Sequence, residues 1–292
     1  MMKTLKQIIQ EAEQNKVAVG HFNISECVGL KGVFSAAKEL ELPIIIGVSE
    51  GEASFIGYRQ AAALVKILRE KFDYPVFINA DHTKSLEKIK EAVEAGFNAV
   101  MFDGSHFPFE ENIQKTKEVV EYVKSVNQEI LVEAEIGYLK GSSTLLSETI
   151  VIKEEDLTKP EEAVQFVKET GIDLLAPSVG NLHGMFKNAQ NPALNIERIK
   201  EIKNILRQIS GQTIHLVLHG GSGIKDEDFL AAIDAGISVI HINTELRLAW
   251  RRGMEKVLRE KPEENVPYKL LPGVVEEIKK VVYNRLKLFN KR

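Results

Sequence analysis

Three of the seven histidines, His82, His183 and His219, each stand at or just after the end of a short apolar run, and Asp81 directly precedes the first of them. Three imidazoles that leave a fourth position open are the usual donor set of a catalytic zinc, and imidazole also suits cobalt, iron and nickel. The sequence therefore predicts a divalent metal, Zn2+ or another transition metal, on His82, His183 and His219. Asp103 and Glu135 are carboxylates fit for a second metal position, or for orienting the imidazoles from behind. His215 falls near the start of its run and reads as structural; His21 and His106 are left open between core, loop and site.

A second constellation is independent of the first. His219-Gly220-Gly221-Ser222-Gly223 leads into a helix beginning near Lys225, and Asn243-Thr244 likewise precedes a helix. Glycines let successive backbone N–H groups converge on an anion, and a helix N-terminus adds a favourable dipole. A phosphate group is the expected occupant.

The elements that must position these residues follow from apolar runs and periods. Strands are predicted over Val17–Asn23, Pro43–Ser49, Pro75–Asp81, Ala99–Ser105, Ile130–Ile136, Leu174–Gly180, Ile214–His219 and Val239–Thr244. Helical periods separate them over Leu30–Leu40, Gln60–Lys71, Ser85–Ala95, Glu110–Val126, Glu161–Thr170, Ile196–Ser210, Asp226–Ala235 and Glu245–Lys256. Near-continuous apolar strands are those buried on both faces of a parallel sheet. Eight such strands alternating with eight helices predict an α/β fold, a (β/α)8 TIM barrel over residues 1–292, with an extra C-terminal helical segment, Pro272–Phe289. Chemistry in such barrels sits at the C-terminal strand ends, often with phosphate held after strands seven and eight. Those ends read Asn23, Ser49, Asp81–His82, Asp103–Ser105, Glu133 and Glu135, then His183, His219 and Asn243–Thr244.

Composition narrows the partners. Cys27 is the only cysteine, so an intrachain disulfide is excluded. A formal charge of -4, spread along the chain, gives no basic face for nucleic acid. Met1 to Glu13 has helical spacing rather than a leader pattern, and no apolar run suffices to span a membrane. A cytoplasmic protein with a small-molecule partner is expected.

These residues together resemble the class II, metal-dependent ketose-bisphosphate aldolases that act on fructose 1,6-bisphosphate or tagatose 1,6-bisphosphate. The resemblance runs through Gly20-His21-Phe22-Asn23, Gly47-Val48-Ser49-Glu50-Gly51, Asn79-Ala80-Asp81-His82 and Val100-Met101-Phe102-Asp103-Gly104-Ser105-His106. It continues through Val132-Glu133-Ala134-Glu135-Ile136-Gly137, Leu175–Gly184, Leu218–Gly223 and Asn243-Thr244-Glu245. It implies His82, His183 and His219 as ligands of the catalytic metal, with Asp103 and Glu135 at a second or alternative metal; a monovalent cation is a further option. It also implies Asp81 as the acid/base for the C4 hydroxyl. Gly184, Gly220, Gly221, Ser222, Asn243 and Thr244 match contacts to the dihydroxyacetone phosphate end, and Ser49, with Asn23 nearby, the aldehyde half. The implied reaction is reversible cleavage of fructose 1,6-bisphosphate to dihydroxyacetone phosphate and glyceraldehyde 3-phosphate, as in glycolysis and gluconeogenesis. A homodimer or homotetramer is implied as well.

Three positions depart from the family pattern. Ser143 stands where a loop glutamate handles the C3 proton, with Glu148 as a nearby substitute. His241 replaces an asparagine that bonds the enediolate, and Val274 falls where relatives offer an arginine to a neighbour's phosphate site. These changes leave open another ketose phosphate, such as the tagatose epimer, or a weakly catalytic barrel that binds metal and phosphosugar.

Overall fold

The computed structural model describes residues 2–209 and 213–292, so Met1 and Ser210, the predicted end of one helix, lie outside the described residues. Eight parallel strands close into a barrel: β1 (Val19–Asn23), β2 (Ile44–Ser49), β3 (Val76–Thr83), β4 (Ala99–Phe102), β5 (Leu131–Ile136), β6 (Leu174–Pro177), β7 (His215–Leu218) and β8 (Ile237–Ile242). Each strand pairs with its sequence neighbours, and β1 closes on β8 through His21 opposite His241. Helices Cys27–Leu40, Tyr58–Phe72, Leu86–Ala95, Phe109–Val126, Pro160–Thr170, Ile196–Leu206, Asp226–Ala235 and Thr244–Glu260 follow the strands in turn. The fold is the (β/α)8 barrel that the runs predict.

Strand ends differ from expectation where a side chain takes over the backbone. β4 stops at Phe102, not Ser105, because Asp103 folds back to accept from the backbone N–H and hydroxyl of Ser105. β6 stops at Pro177, not Gly180, and Asn181 accepts from the Val179 N–H to make the turn. β8 spans Ile237–Ile242, two residues earlier than predicted at each end. The C-terminal helix is Pro267–Phe289, longer than the expected Pro272–Phe289. Among the described residues, a short helix Glu50–Ile56, a single 3-10 turn Glu154–Asp156 and a small parallel ribbon that pairs Gly141–Leu146 with His183–Phe186 have no counterpart among the predicted strands and helices.

Strand periodicity sorts the interior into layers, because residues two apart share a face. Val19, Ile45, Phe77, Ala99, Leu131, Leu174, Val217 and Val239 form a lower apolar layer. The helix Leu5–Gln14 covers it with Leu5, Ile8, Ile9 and Ala12. Two residues further along, the same strands carry His21, Asn79, Glu133 and His241, all buried. Barrel interiors are ordinarily filled with Val, Ile and Leu. A buried polar layer is costly unless its groups are paired or used, which marks this end as the working face.

His215 belongs to the opposite end. Its Nδ1 lies 2.8 Å from Glu13 Oε2, which also accepts from Lys203 Nζ at 2.7 Å. That trio fastens the covering helix to the barrel floor. Among the described residues no helix is long and apolar enough to cross a membrane.

Candidate active site and metal centre

Adjacent strand residues face opposite ways, so Asp81 and His82 can share a site only if β3 bends. It does. His82 has φ +47, and the register with β4 slips between Ala80 and Thr83, so three steps along β3 match two along β4. This bulge turns the His82 ring inward beside Asp81. A positive φ on a residue with a side chain is strained and collects at functional sites.

Four donors converge above β3, β5 and β7. His82, Glu135, His183 and His219 each offer one ligand atom, and these atoms all lie within 4.8 Å of one another. The ring centroids of His82 and His183 are 4.7 Å apart, those of His82 and His219 4.8 Å, and those of His183 and His219 6.2 Å. Metal–nitrogen bonds of about 2.1 Å put tetrahedral donors about 3.4 Å apart. His82 Nε2 and His219 Nδ1 are 3.1 Å apart, and His219 Nδ1 is 3.8 Å from Glu135 Oε2. His183 Nε2 and Glu135 Oε2 are buried without any partner. Two orphaned buried donors beside two close imidazole nitrogens fit a single cation.

The rings are held from behind. Asp103 Oδ2 lies 2.9 Å from His82 Nδ1, and Glu133 Oε1 lies 2.6 Å from His219 Nε2. Carboxylates in this position fix the tautomer that turns the other nitrogen toward a metal. Asp103 is therefore placed behind a ring and not among the four converging atoms, whereas Glu135 is among them. Glu133 stands at a strand end in the sequence, and its place two residues before Glu135 is the signal for its inward face.

The electrostatics concentrate negative charge here. Burial disfavours a charged His82, yet Asp81 and the Asp103 hydrogen bond outweigh it and lift its pKa to about 10. Burial likewise opposes charge on His219, and Glu133 overcomes it to raise that pKa. Burial and the neighbouring rings of His82 and His219 push His183 down to about 3. Burial raises Glu135 to about 7 against the pull of His82. The cluster thus takes up positive charge between His82 and His219 and keeps His183 a neutral donor.

Asp81 stands beside this centre. Burial would raise its pKa, but His82 and His241 hold it well below the usual carboxylate range. Asn23 Nδ2 donates to Asp81 Oδ2 at 2.9 Å, while Asp81 Oδ1 has no hydrogen bond and faces His241 Nδ1 at 3.3 Å. His241 is pushed to about 3 by burial and by His219, so it is neutral, and it stacks flat on His21 with centroids 3.4 Å apart. His21, Asp81 and His241 also gather three ligand atoms. Parallel rings 3.4 Å apart hold their lone pairs in parallel planes, so a cation bound to both would lie well out of each ring plane. That trio is a poor metal site.

The phosphate-directed residues line the same cavity. Asn23, Asp81, His82, Ser143, His183, Gly184, Gly220, Gly221, Ser222, His241, Asn243 and Thr244 share it with His219. Gly220 has φ +62, and a Cβ there would lie 2.1 Å from the Leu182 carbonyl oxygen; Gly184, at φ +100, would lie 2.3 Å from that of Ser142. Only glycine lets these backbones approach so closely. The Asn243 side chain does not cap the helix Thr244–Glu260; Ser222 Oγ accepts the Glu245 N–H at 3.2 Å instead, which sets that hydroxyl at the helix N-terminus beside the glycine turn. Ser49 caps the helix Glu50–Ile56 and lines a neighbouring cavity of about 580 Å³ with Asn23, Glu26, Asn243, Arg247 and Trp250.

Other residues lie elsewhere. Glu148 is exposed and does not line the cavity, whereas Ser143 does. Val274 is fully buried against the helix Thr244–Glu260, and His106 is exposed. Glu52 and Arg247 are not singled out by the motifs, although the Ser49-x-x-Glu52 spacing is a helix-capping pattern readable in the sequence.

Residues 3–292 match the family model described as fructose-bisphosphate aldolase class-II. The chain is 37% identical over 290 residues to fructose-bisphosphate aldolase of Geobacillus stearothermophilus, covering 98% of this chain and 96% of that one. It is 36% identical to the Staphylococcus aureus enzyme of that name, with the same coverage. The crystal structure of the YdjI aldolase from Escherichia coli K12 superposes with a TM-score of 0.82 at 32% identity, over 99% of this chain and 97% of that one. The chain belongs to the class-II fructose-bisphosphate aldolase family.

Proposed function

We propose that this protein catalyses the reversible aldol cleavage of fructose 1,6-bisphosphate to dihydroxyacetone phosphate and glyceraldehyde 3-phosphate. The observation that carries the reading is the convergence of His82, His183, His219 and Glu135 next to the unpartnered Oδ1 of Asp81. The three histidines and Glu135 would hold a divalent metal, zinc on its donor set, with Asp103 and Glu133 orienting two of the rings. When bound, the metal supplies Lewis acidity for the negative charge left on the ketone half after the C3–C4 bond breaks.

The remaining work falls to the chain's own groups. Asp81 Oδ1 removes the C4 hydroxyl proton during cleavage and returns it during condensation. His241, neutral and inward, offers a ring N–H to the developing oxyanion, and its stack on His21 fixes the ring plane. Gly184, Gly220, Gly221, Ser222, Asn243 and Thr244 bind the phosphate of the ketone half, and Asn23 and Ser49 face the aldehyde half. A homodimer or homotetramer in the cytoplasm completes the reading; exposed Phe55 and Tyr268 offer apolar surface for such contacts.

A second reading concerns the aldehyde half. Among the described residues, Arg247 is the one cation lining the larger cavity, and it is engaged by Glu52. Glu26 caps the adjoining helix with its own carboxylate. A second phosphate therefore meets little free positive charge, which favours a ketose 1-phosphate with an uncharged tail. Assaying fructose 1,6-bisphosphate, its tagatose epimer and fructose 1-phosphate, with and without EDTA, tests both readings. Turnover of fructose 1,6-bisphosphate that EDTA abolishes and added metal restores is expected; cleavage insensitive to EDTA refutes the metal-dependent mechanism.

A further inference from the structure

Glu52 is 7% exposed, and its carboxylate is surrounded by donors. Oε2 accepts from Asn23 Nδ2 at 2.9 Å and from the Ser49 N–H at 2.8 Å. Oε1 accepts from Arg247 Nη2 at 3.0 Å and from Asn243 Nδ2 at 3.3 Å. The donors come from the ends of β1, β2 and β8 and from the helix that follows β8. An ionised carboxylate only accepts, with about four lone-pair directions, so this environment uses all of them. A neutral amide would turn an N–H toward donors on one side.

Asn23 carries the connection inward. Its amide nitrogen donates to both Glu52 Oε2 and Asp81 Oδ2, each at 2.9 Å, and so bridges two carboxylates. With both N–H groups committed, the amide cannot flip its oxygen toward Asp81. Asp81 Oδ2 is thereby pinned, and Oδ1 is the oxygen left without a hydrogen bond, 3.3 Å from His241 Nδ1. We propose that Glu52 is a positioning residue for the aldol step: acting through Asn23, it holds Asp81 so that Oδ1 faces the C4 hydroxyl. This rests on Asp81 being the acid/base of the proposed reaction.

The same carboxylate ties that oxygen to the rim of the site. Arg247, held by Glu52, donates from Nη1 to the Ser143 carbonyl at 3.0 Å, on the ribbon strand that lines the cavity. Asn243, its fourth donor, begins the turn at the phosphate end. Glu52 also belongs to the capping box of its own helix, so a purely structural role is the competing account. The two accounts differ in which half of the reaction they touch. Exchange of the C3 proton of dihydroxyacetone phosphate involves no C4 hydroxyl and makes no demand on Asp81, whereas cleavage does.

The test compares wild-type holoenzyme with Glu52→Ala and Glu52→Gln, measuring ketose cleavage, loss of tritium from C3 of dihydroxyacetone phosphate, metal content and Tm. Removing a supporting hydrogen-bond partner typically costs about 10–100-fold. The expected result is a cleavage kcat down by about 100-fold in Glu52→Ala and about 10-fold in Glu52→Gln, with exchange within about threefold and metal content unchanged. Exchange falling in step with cleavage, or cleavage within about threefold of wild type in both variants, overturns the proposal. If the alanine variant fails to fold, the nearly isosteric glutamine decides by the same ratio. Each comparison uses whichever ketose wild type cleaves best. Failure on fructose 1,6-bisphosphate alone thus counts against the substrate reading, while the cleavage-to-exchange ratio decides Glu52.

Discussion

Nε2 of His82 and Nδ1 of His219 face each other across 3.1 Å, and each ring has its other nitrogen against a carboxylate, Asp103 and Glu133 respectively. With both carboxylates accepting the ring N–H that faces them, the facing nitrogens present two lone pairs to one another, an arrangement that calls for a positive charge between them. Glu133→Gln and Asp103→Asn are expected to weaken metal affinity by about 10–100-fold while leaving the fold intact. Chelator competition, read as metal retained against free chelator concentration, checks this. Affinity equal to wild type in both variants would remove the two carboxylates from the site.

Asp81→Asn keeps the volume of the side chain and removes its capacity to take up a proton. The variant is expected to bind metal as wild type does and to lose about 10²–10⁴-fold in cleavage. Its exchange of the C3 proton of dihydroxyacetone phosphate should persist. Metal analysis and the two rate measurements on one preparation separate these outcomes, and full cleavage would exclude Asp81 as the acid/base.

The barrel floor has its own pH signature. Burial acts to raise the pKa of Glu13, but His215 and Lys203 outweigh it and bring it from 4.5 down to about 2. A depressed carboxylate stabilises the fold at pH above its unfolded value, and that contribution fades as pH falls through the folded one. Glu13→Gln also leaves the buried Lys203 without its carboxylate, at a cost on the order of 2 kcal/mol at neutral pH. Urea denaturation should show a constant gap between wild type and variant above about pH 5, closing between about pH 4.5 and 2. A gap that persists to pH 2 would contradict the assignment.

The C-terminal helix is joined to the phosphate end by a half-buried fork. Arg285 donates to both oxygens of Glu245 at 2.8 Å, and Glu245 Oε1 accepts the Gly223 N–H at 3.0 Å. Arg285→Ala is expected to cost about 3 kcal/mol and to lower Tm by roughly 5–10 °C. Arg285→Lys should recover only part of that, because an ammonium cannot make the planar two-point contact. Thermal denaturation of the three proteins is the measurement. A lysine variant as stable as wild type would show that charge alone suffices.

The barrel was legible because its strands are apolar on both faces and its helices keep a 3.6-residue period, signals that survive without tertiary information. The three histidines proposed as metal ligands were legible because each ends or follows a strand on one face of that barrel, His82 and His219 at the ends of β3 and β7 and His183 six residues beyond β6. What sequence period alone left out depends on local backbone chemistry. The bulge at His82 is visible as a difficulty, two adjacent site residues on one strand, but its positive φ is a property of the folded chain. Asp103 and Asn181 each end a strand early by bonding the backbone two residues away. Glu52 sits in a readable capping pattern, yet its links to Asn23, Asn243 and Arg247 span up to 195 residues of sequence and only closure of the barrel brings them together.

X-ray absorption at the edge of the bound metal in wild-type holoenzyme reads the donor set of the proposed centre itself. Three imidazole nitrogens at about 2.0–2.1 Å with one or more oxygen donors are the predicted first shell, falling to two in His183→Ala. A shell with fewer than three imidazoles in wild type, or one unchanged by that substitution, would contradict the metal centre on which the proposed aldol chemistry depends.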